Sequence, residues 1–362
     1  MAAIAGGKLS LDEYIARNPE AAVGARVARV FGGLPFLFKL LAAEKPLSIQ
    51  AHPSLEQARE GWARENAARI PLDAPHRNYK DANHKPEILC ALSPFRAMCG
   101  FRERDEIRRL LDTLDLGGLA VARRALEAED EARSLRSFQE ALFALSGEAR
   151  QELGRQVADR AASLARGAVG SADNDSTVWE LVRAFAAAYP RDPAVVSPLY
   201  LNVLELEPGE AIYLPAGILH AYVRGFGVEL MANSDNVLRG GLTSKHVDLD
   251  ELNRILRFAP FKPDILRPAS EEGGLLRYRT PCAEFSLARA NASEGVADLR
   301  AGEPRIVIIT EGAATLSDGR ERLPLAAGQS AFIAARARGP RLEGDFTAFM
   351  ASVGWPAGNE AR

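Results

Sequence analysis

The stretch Tyr200–Val247, YLNVLELEPGEAIYLPAGILHAYVRGFGVELMANSDNVLRGGLTSKHV, decides the fold. Leu201, Val203, Leu204 and Leu206 read as a strand, and Glu207-Pro208-Gly209-Glu210 as a turn. A second strand follows over Ala211 to Leu214, and Pro215-Ala216-Gly217 turns the chain again. His220 then opens a third strand with Ala221, Tyr222 and Val223. Taken alone, a histidine on such an apolar strand is an ordinary packed residue.

Five residues separate Gly209 from Pro215, one separates Pro215 from Gly217, and two separate Gly217 from His220. This spacing resembles the second motif of the cupin superfamily, in which a tight turn sends a histidine into a small β-barrel. Cupins usually carry Asn four residues after that histidine; here the position is Arg224, so the match is partial.

Upstream, Leu47-Ser48-Ile49-Gln50-Ala51-His52 alternates polar and apolar residues. Side chains at i and i+2 share a face, so Ser48, Gln50 and His52 line one side. The structural alternative is a half-exposed strand with that side in water. Asn78 to Glu87 is a polar, turn-rich loop leading into the strand Ile88–Leu92, with Lys85 two residues before Glu87. Leu34–Leu41 reads as a buried strand and Ala97–Arg102 as a short one. Ser10 to Glu13 and Ser54 to Gln57 have capping-box spacing, for helices ending near Asn18 and Arg69.

From Arg102 to Tyr189 the character is helical. Ile107, Leu110, Leu111 and Leu114 fall at i, i+3, i+4 and i+7, and Pro190 ends the last helix. Leu249–Phe258 reads as a helix. Beyond it the chain is strand-like, with turn signals at Glu311-Gly312 and Asp318-Gly319. The barrel pattern recurs faintly around Gly328, but its histidine position is Gly339. The expected fold is mainly β: two cupin-like barrels of jelly-roll type with an α-helical insertion. The division is 1–101 plus 191–258 for a metal-binding barrel, 102–190 for the insertion, and 259–362 for a second barrel without metal ligands.

Composition narrows the function. The chain has 362 residues, 47% hydrophobic and 26% charged, with a net charge of −3, which points to a globular protein without nucleic-acid partners. The run Leu34–Phe38 stops at Lys39, too short to span a bilayer, and the N-terminus lacks the pattern of a secretion signal. Cys90, Cys99 and Cys282 form no CxxC pair, which fits a reduced, cytoplasmic setting. A monomer is expected.

Gln50, His52, Glu87 and His220 together offer two imidazoles, a carboxylate and an amide oxygen. That set suits zinc with room for a further oxygen ligand, although glutamine is an uncommon zinc ligand. PLSIQAHPS, NYKDANHKPE, LPAGILHAY and VELMANSDNVLRGGLTSKHVD closely resemble the type I mannose-6-phosphate isomerases, or phosphomannose isomerases. The resemblance spans about Leu34 to Val247 and includes the helical insertion. It implies one zinc ion per chain, held by Gln50, His52, Glu87 and His220. It also implies active-site positions at Ser48, Lys85, Glu229, Arg239 and Lys245. Among these, Lys85 and Glu229 are candidates for proton transfer, alongside His52 or a water on the metal. A lysine in that role needs a depressed pKa, toward which zinc and Arg239 would push Lys85. Arg239 can neutralise enediolate charge or hold phosphate; Lys245 is the better candidate for phosphate, with Ser48 a further substrate contact. Asn233, Asp235 and Asn236 read as turn formers.

The implied reaction interconverts mannose 6-phosphate and fructose 6-phosphate through a cis-enediol. Two departures stand out. Ser244 replaces a frequent Pro, and family members usually begin some tens of residues earlier with a further strand, whose loss would expose a barrel edge. The alternative functions are an iron dioxygenase of the same superfamily, and a zinc-binding sugar-phosphate sensor or inactive remnant. The first usually carries three His and a Glu, including a histidine pair where Gln50 and His52 stand. Zinc and ligand binding without turnover would mark the second.

Overall fold

The structure is a computed structural model that describes residues 9–167, 175–271, 274–299 and 301–355, without side-chain detail for 292–298. The first part of the chain builds β1 (Phe36–Ala43), β2 (Ile49–Ala51), β3 (Glu87–Ala91), β4 (Phe95–Phe101), β5 (Leu201–Leu206), β6 (Ala211–Leu214), β7 (His220–Ala232) and β8 (Leu238–Gly241). All pair antiparallel. One row runs β5-β4-β7-β2-β8, while β1 and β3 also pair with β7, and β6 with β3.

β7 is the axis of this arrangement. Its first half, from His220, pairs with β4 and β2, and its second half, from Gly225, pairs with β1 and β3. The change of partners falls at Gly225, whose φ of +139° favours glycine and where a Cβ would lie 2.5 Å from the Phe95 ring. The sequence reading ended this strand at Val223; Gly225 and Gly227 let it bend and continue. Ala43, Leu89, Phe95, Leu204, Ile212 and Tyr222 form a buried cluster drawn from both rows, so the rows pack face to face.

The second sheet comprises β9 (Ala269–Ser270), β10 (Leu275–Tyr278), β11 (Ser286–Asp298), β12 (Arg305–Ser317), β13 (Arg322–Ala326), β14 (Ser330–Ile333) and β15 (Arg341–Ser352). Its order is β13-β12-β15-β11-β10-β9, with β14 on β12. The expected turn at Glu311-Gly312 is instead a register shift inside β12, opposite β15. Gly312 takes φ +69° there, and a Cβ would lie 2.2 Å from the Asp345 carbonyl oxygen.

The expectation of a mainly β chain is corrected: helices take up slightly more of the described residues than strands, and the architecture is mixed. Among the described residues neither sheet closes into a ring. Both expected capping boxes are present, opening helices Leu11–Arg17 and Leu55–Ala67. Two further short helices, Pro19–Val23 and Ala25–Phe31, precede β1. Between β4 and β5 the chain is helical from Arg104 to Ala188, apart from short connections and the undescribed 168–174. This region shares one core with the sheet: Phe138, Val182 and Phe185 belong to the same buried cluster as Ile49, Met98 and Ala221. The helix Leu249–Ile255 ends earlier than expected because Leu256 turns extended and Arg257 N–H donates to the Gly217 carbonyl.

β1 also departs from the expected buried strand. Among the described residues it pairs only with β7, and Leu37 and Leu40 are exposed. The two sheets share a core in which Ile88, Val228 and Leu230 meet Tyr278, Phe285 and Phe349.

Candidate metal centre and active site

Strand register sets the site. Gln50 lies opposite His220 of β7 on one side and Arg239 of β8 on the other. Residues directly opposed in an antiparallel pair project to the same face, so His220, Gln50 and Arg239 form one row across three strands. His52 follows β2, and Glu87 opens β3 opposite Met231 of β7. His52, Glu87 and His220 are at most 2% exposed, and their donor atoms lie within 4.8 Å of one another.

The spacings are informative. His52 Nε2 is 3.4 Å from Glu87 Oε1, and His220 Nε2 is 3.4 Å from Glu87 Oε2. Gln50 Nε2 is 3.4 Å from His220 Nε2. Donors about 2.1 Å from one zinc ion lie about 3.4 Å from each other, so each imidazole stands at such a distance from the Glu87 carboxylate, His52 from Oε1 and His220 from Oε2. Turning the Gln50 amide about its last bond presents Oε1 at the same point.

The hydrogen bonds behind the donors orient them. His52 Nδ1 is 2.6 Å from the Asn236 carbonyl oxygen, and His220 Nδ1 is 3.0 Å from that of Ile218. Carbonyls accept, so each Nδ1 carries the proton and each Nε2 aims its lone pair inward. Burial holds His52 below its ordinary pKa range, against the pull of Glu87. Burial works the other way on Glu87, and the two imidazoles hold it well below the usual carboxylate range only when they carry a proton. With both Nε2 atoms unprotonated, their lone pairs face the Glu87 carboxylate, and His52 Nε2 and Glu87 Oε2 have no hydrogen-bond partner. A cation resolves this arrangement, and the residues fit zinc.

Lys85 is buried, with Nζ 3.4 Å from Glu87 Oε1. Glu229, on the second half of β7, is 2% exposed. Its carboxylate is 2.5 Å from Lys39 Nζ of β1. Burial and the Glu87 charge push the Glu229 pKa up, while Lys39 opposes them. Arg239 is half-buried, and its side chain has no hydrogen-bond or ion-pair partner among the described residues. Ser48 is half-buried just before β2. Lys245 is exposed and lines a cleft of about 490 Å³ with Arg150, Arg191 and Asp192. His76 and His246 are exposed, and His84 turns to Glu284, so none joins the cluster.

Sequence reasoning missed three residues here. Lys39 is the one charge in the apolar run Phe36–Leu41, a signal that was available. Tyr222 lies two residues after His220, and its ring centroid is 6.1 Å from that imidazole. Burial and the charges of Glu229 and Glu87 keep its phenol protonated. Asn236, expected only to form a turn, is fully buried. Its amide bonds the carbonyls of Asp81 and Asn83, and its Oδ1 accepts from Lys80 N–H.

Two imidazoles and a carboxylate, converging with an amide among antiparallel strands and with the imidazole outer nitrogens tied to backbone carbonyls, form a buried site fit for a metal ion in a protein of mixed helix and sheet. Comparison with known proteins is specific. Residues 3–104 match the family model for the catalytic domain of type I phosphomannose isomerase. Mannose-6-phosphate isomerase of Escherichia coli K12 is 40% identical over 333 residues, covering 91% of this chain and 82% of the relative. The human enzyme of the same name is 32% identical over 330 residues, covering 87% and 75%. A zinc-bound crystal structure of mannose 6-phosphate isomerase superposes with a TM-score of 0.84 at 37% identity, covering 98% of this chain and 87% of the other. A mutant phosphomannose isomerase from Salmonella typhimurium gives 0.83 at 37%, covering 96% and 86%. The chain belongs to the type I phosphomannose isomerase family.

Proposed function

We propose that this protein is a zinc-dependent aldose–ketose isomerase that interconverts mannose 6-phosphate and fructose 6-phosphate. The observation that carries the reading is the buried convergence of His52, Glu87 and His220, whose donor atoms lie within 4.8 Å of one another, with Gln50 beside them. These four residues hold the metal. Zinc, when bound, supplies Lewis-acid polarisation for two adjacent sugar oxygens.

The chain's own groups do the rest. A proton must leave the carbon beside the carbonyl, its bonding electrons passing into a cis-enediol, and return to the neighbouring carbon. Lys85 and Glu229 are the residues assigned to carry it. Glu229 suits this work because burial raises its proton affinity toward neutrality. Arg239, in register beside Gln50 and unpaired among the described residues, neutralises the developing enediolate. Ser48 and Lys245 bind substrate, with Lys245 on the phosphate.

The reading extends to organisation. Residues 1–101 with 191–258 form a cupin-like catalytic unit, 102–190 a helical insertion, and 259–362 a cupin-like unit without metal ligands. The last is supported by the absence of histidine after His246. No helix among the described residues is long and apolar enough to cross a membrane. We place the protein in the cytoplasm as a monomer acting on a free sugar phosphate, without nucleic-acid partners.

A coupled isomerase assay tests this on purified protein, metal-free and with zinc restored. Turnover that vanishes with chelator and returns with zinc is expected. Full activity without metal, or zinc and sugar-phosphate binding without turnover, rejects it.

A further inference from the structure

The loop that delivers Lys85 and Glu87 is held from two sides. On one side the Asn83 carbonyl accepts from the Asn236 amide at 2.8 Å and from the Ser234 hydroxyl at 3.2 Å. The Pro86 carbonyl accepts from Ala232 N–H at 3.1 Å. On the other side the anchor is a side chain. His84 Nε2 lies 2.6 Å from Glu284 Oε1, in the connection between β10 and β11 of the second sheet. Lys85 thus sits between residues fixed by different parts of the molecule.

Glu284 is itself set in place. The Cys282 thiol donates to its Oε2 at 3.1 Å. Burial and the Glu284 charge keep that thiol protonated. The backbone of this connection is packed tightly against Gly354, where a Cβ would come within 2.0 Å of the Phe285 carbonyl oxygen. Gly354 N–H also donates to the Ala283 carbonyl. Although burial works against it, hydrogen bonds from His84 and Cys282 hold the Glu284 carboxyl down at about 2. It is therefore ionised at neutral pH, and its contact with His84 is charge-assisted. The carboxylate and imidazole side chains are 12% and 24% exposed, so water screens the contact only partly.

We infer that Glu284, from the half of the chain that supplies no metal ligand, is a positioning residue for Lys85, acting through the His84 imidazole. This rests on the isomerase reading above and gives the second sheet a part in it. Neither Glu284 nor Cys282 need touch the substrate. Their effect is to fix the residue before Lys85 so that its ammonium group stays beside Glu87.

The test is a double-mutant cycle on the full-length, zinc-loaded protein: Glu284→Gln, His84→Gln and the pair together. Glu284→Gln is expected to lower kcat about tenfold, the scale of one charge-assisted hydrogen bond, with KM held within about twofold. In the His84→Gln background the same change should move kcat by less than about twofold, because residues acting as a unit are not additive. Proton NMR supplies a readout independent of turnover: the hydrogen-bonded His84 ring proton should be lost in Glu284→Gln while zinc content stays at the wild-type level. Equal effects in both backgrounds, or an unchanged kcat when that signal is lost, overturn the proposal. If wild-type protein shows the signal but does not isomerise, the isomerase reading fails and not the Glu284–His84 contact.

Discussion

His52 gives its Nδ1 proton to the backbone oxygen of Asn236, 2.6 Å away, and this contact determines which nitrogen faces the metal centre. The Asn236 side chain makes the contact dependable. Its amide and carbonyl reach residues 80–83, tying the loop after β7 to the loop before β3. Asn236→Ala keeps the main-chain acceptor but frees the segment that presents it. Zinc affinity should fall about 10- to 100-fold, as for other losses of support behind a metal ligand. Competition against a chromophoric chelator measures this, and an unchanged affinity would show that the backbone holds His52 without help.

Glu229 exchanges stability for chemistry. Its folded pKa lies above its unfolded value, so its charged form costs the folded state at neutral pH. The cost disappears as pH falls through the raised pKa. Glu229→Gln removes it at every pH and leaves Lys39, whose side chain is 50% exposed, able to hydrate its charge. The variant should melt at a higher temperature than wild type at pH 7, with a gap that closes in acid. Its kcat should drop by about 10²- to 10⁴-fold, the usual range for loss of a proton carrier. Calorimetry across pH decides the first half: a lower melting temperature at pH 7 would show Glu229 to be a net stabilising ion-pair partner.

The His84–Glu284 contact has the opposite sign. Glu284 is held at about 2, below the ordinary 4.5, so its contribution is fully present above about pH 4.5 and is lost as pH falls toward 2. After discounting for solvent screening, the contribution is on the order of 1–2 kcal/mol. Denaturant unfolding of Glu284→Gln should be flatter than wild type between those pH values, and identical slopes would remove the contact from the stability account.

The local rules were legible and the three-dimensional partners were not. Capping boxes at Ser10 and Ser54 opened helices where expected, because an N-cap depends on residues three positions apart. Alternation along Leu47–His52 placed Gln50 and His52 on one face, although only Ile49–Ala51 pairs as strand. Asn236 was unreadable for a different reason. Its bonds reach about 150 residues back along the chain, and nothing local separates a turn asparagine from one that braces a ligand loop. Among the described residues neither sheet closes into a ring, and strand patterning alone does not say which edges are met. The weight of helix was underestimated because the motifs that carry chemistry lie on strands and loops.

Arg239 offers the sharpest test of mechanism. It stands on β8 opposite Gln50 of β2, in the row that ends at His220, which places it on the same face as those two residues. It is half-buried, yet the described residues give its guanidinium no acceptor. A half-buried cation with no acceptor among the described residues is suited to a charge that appears only during reaction. Lys245 is different: exposed, on the loop after β8, and facing a cleft shared with Arg150 and Arg191. Such a position suits a phosphate carried some distance from the reacting carbons. Arg239→Ala should therefore lower kcat and kcat/KM together, by about 30- to 1,000-fold, with KM nearly unchanged. Lys245→Ala should raise KM and leave kcat nearly intact, because phosphate is bound equally in ground and transition states. Steady-state kinetics on both variants, each checked for full zinc occupancy, separates the roles. A raised KM with normal kcat for Arg239→Ala would move Arg239 to the phosphate and leave enediolate stabilisation to the metal alone.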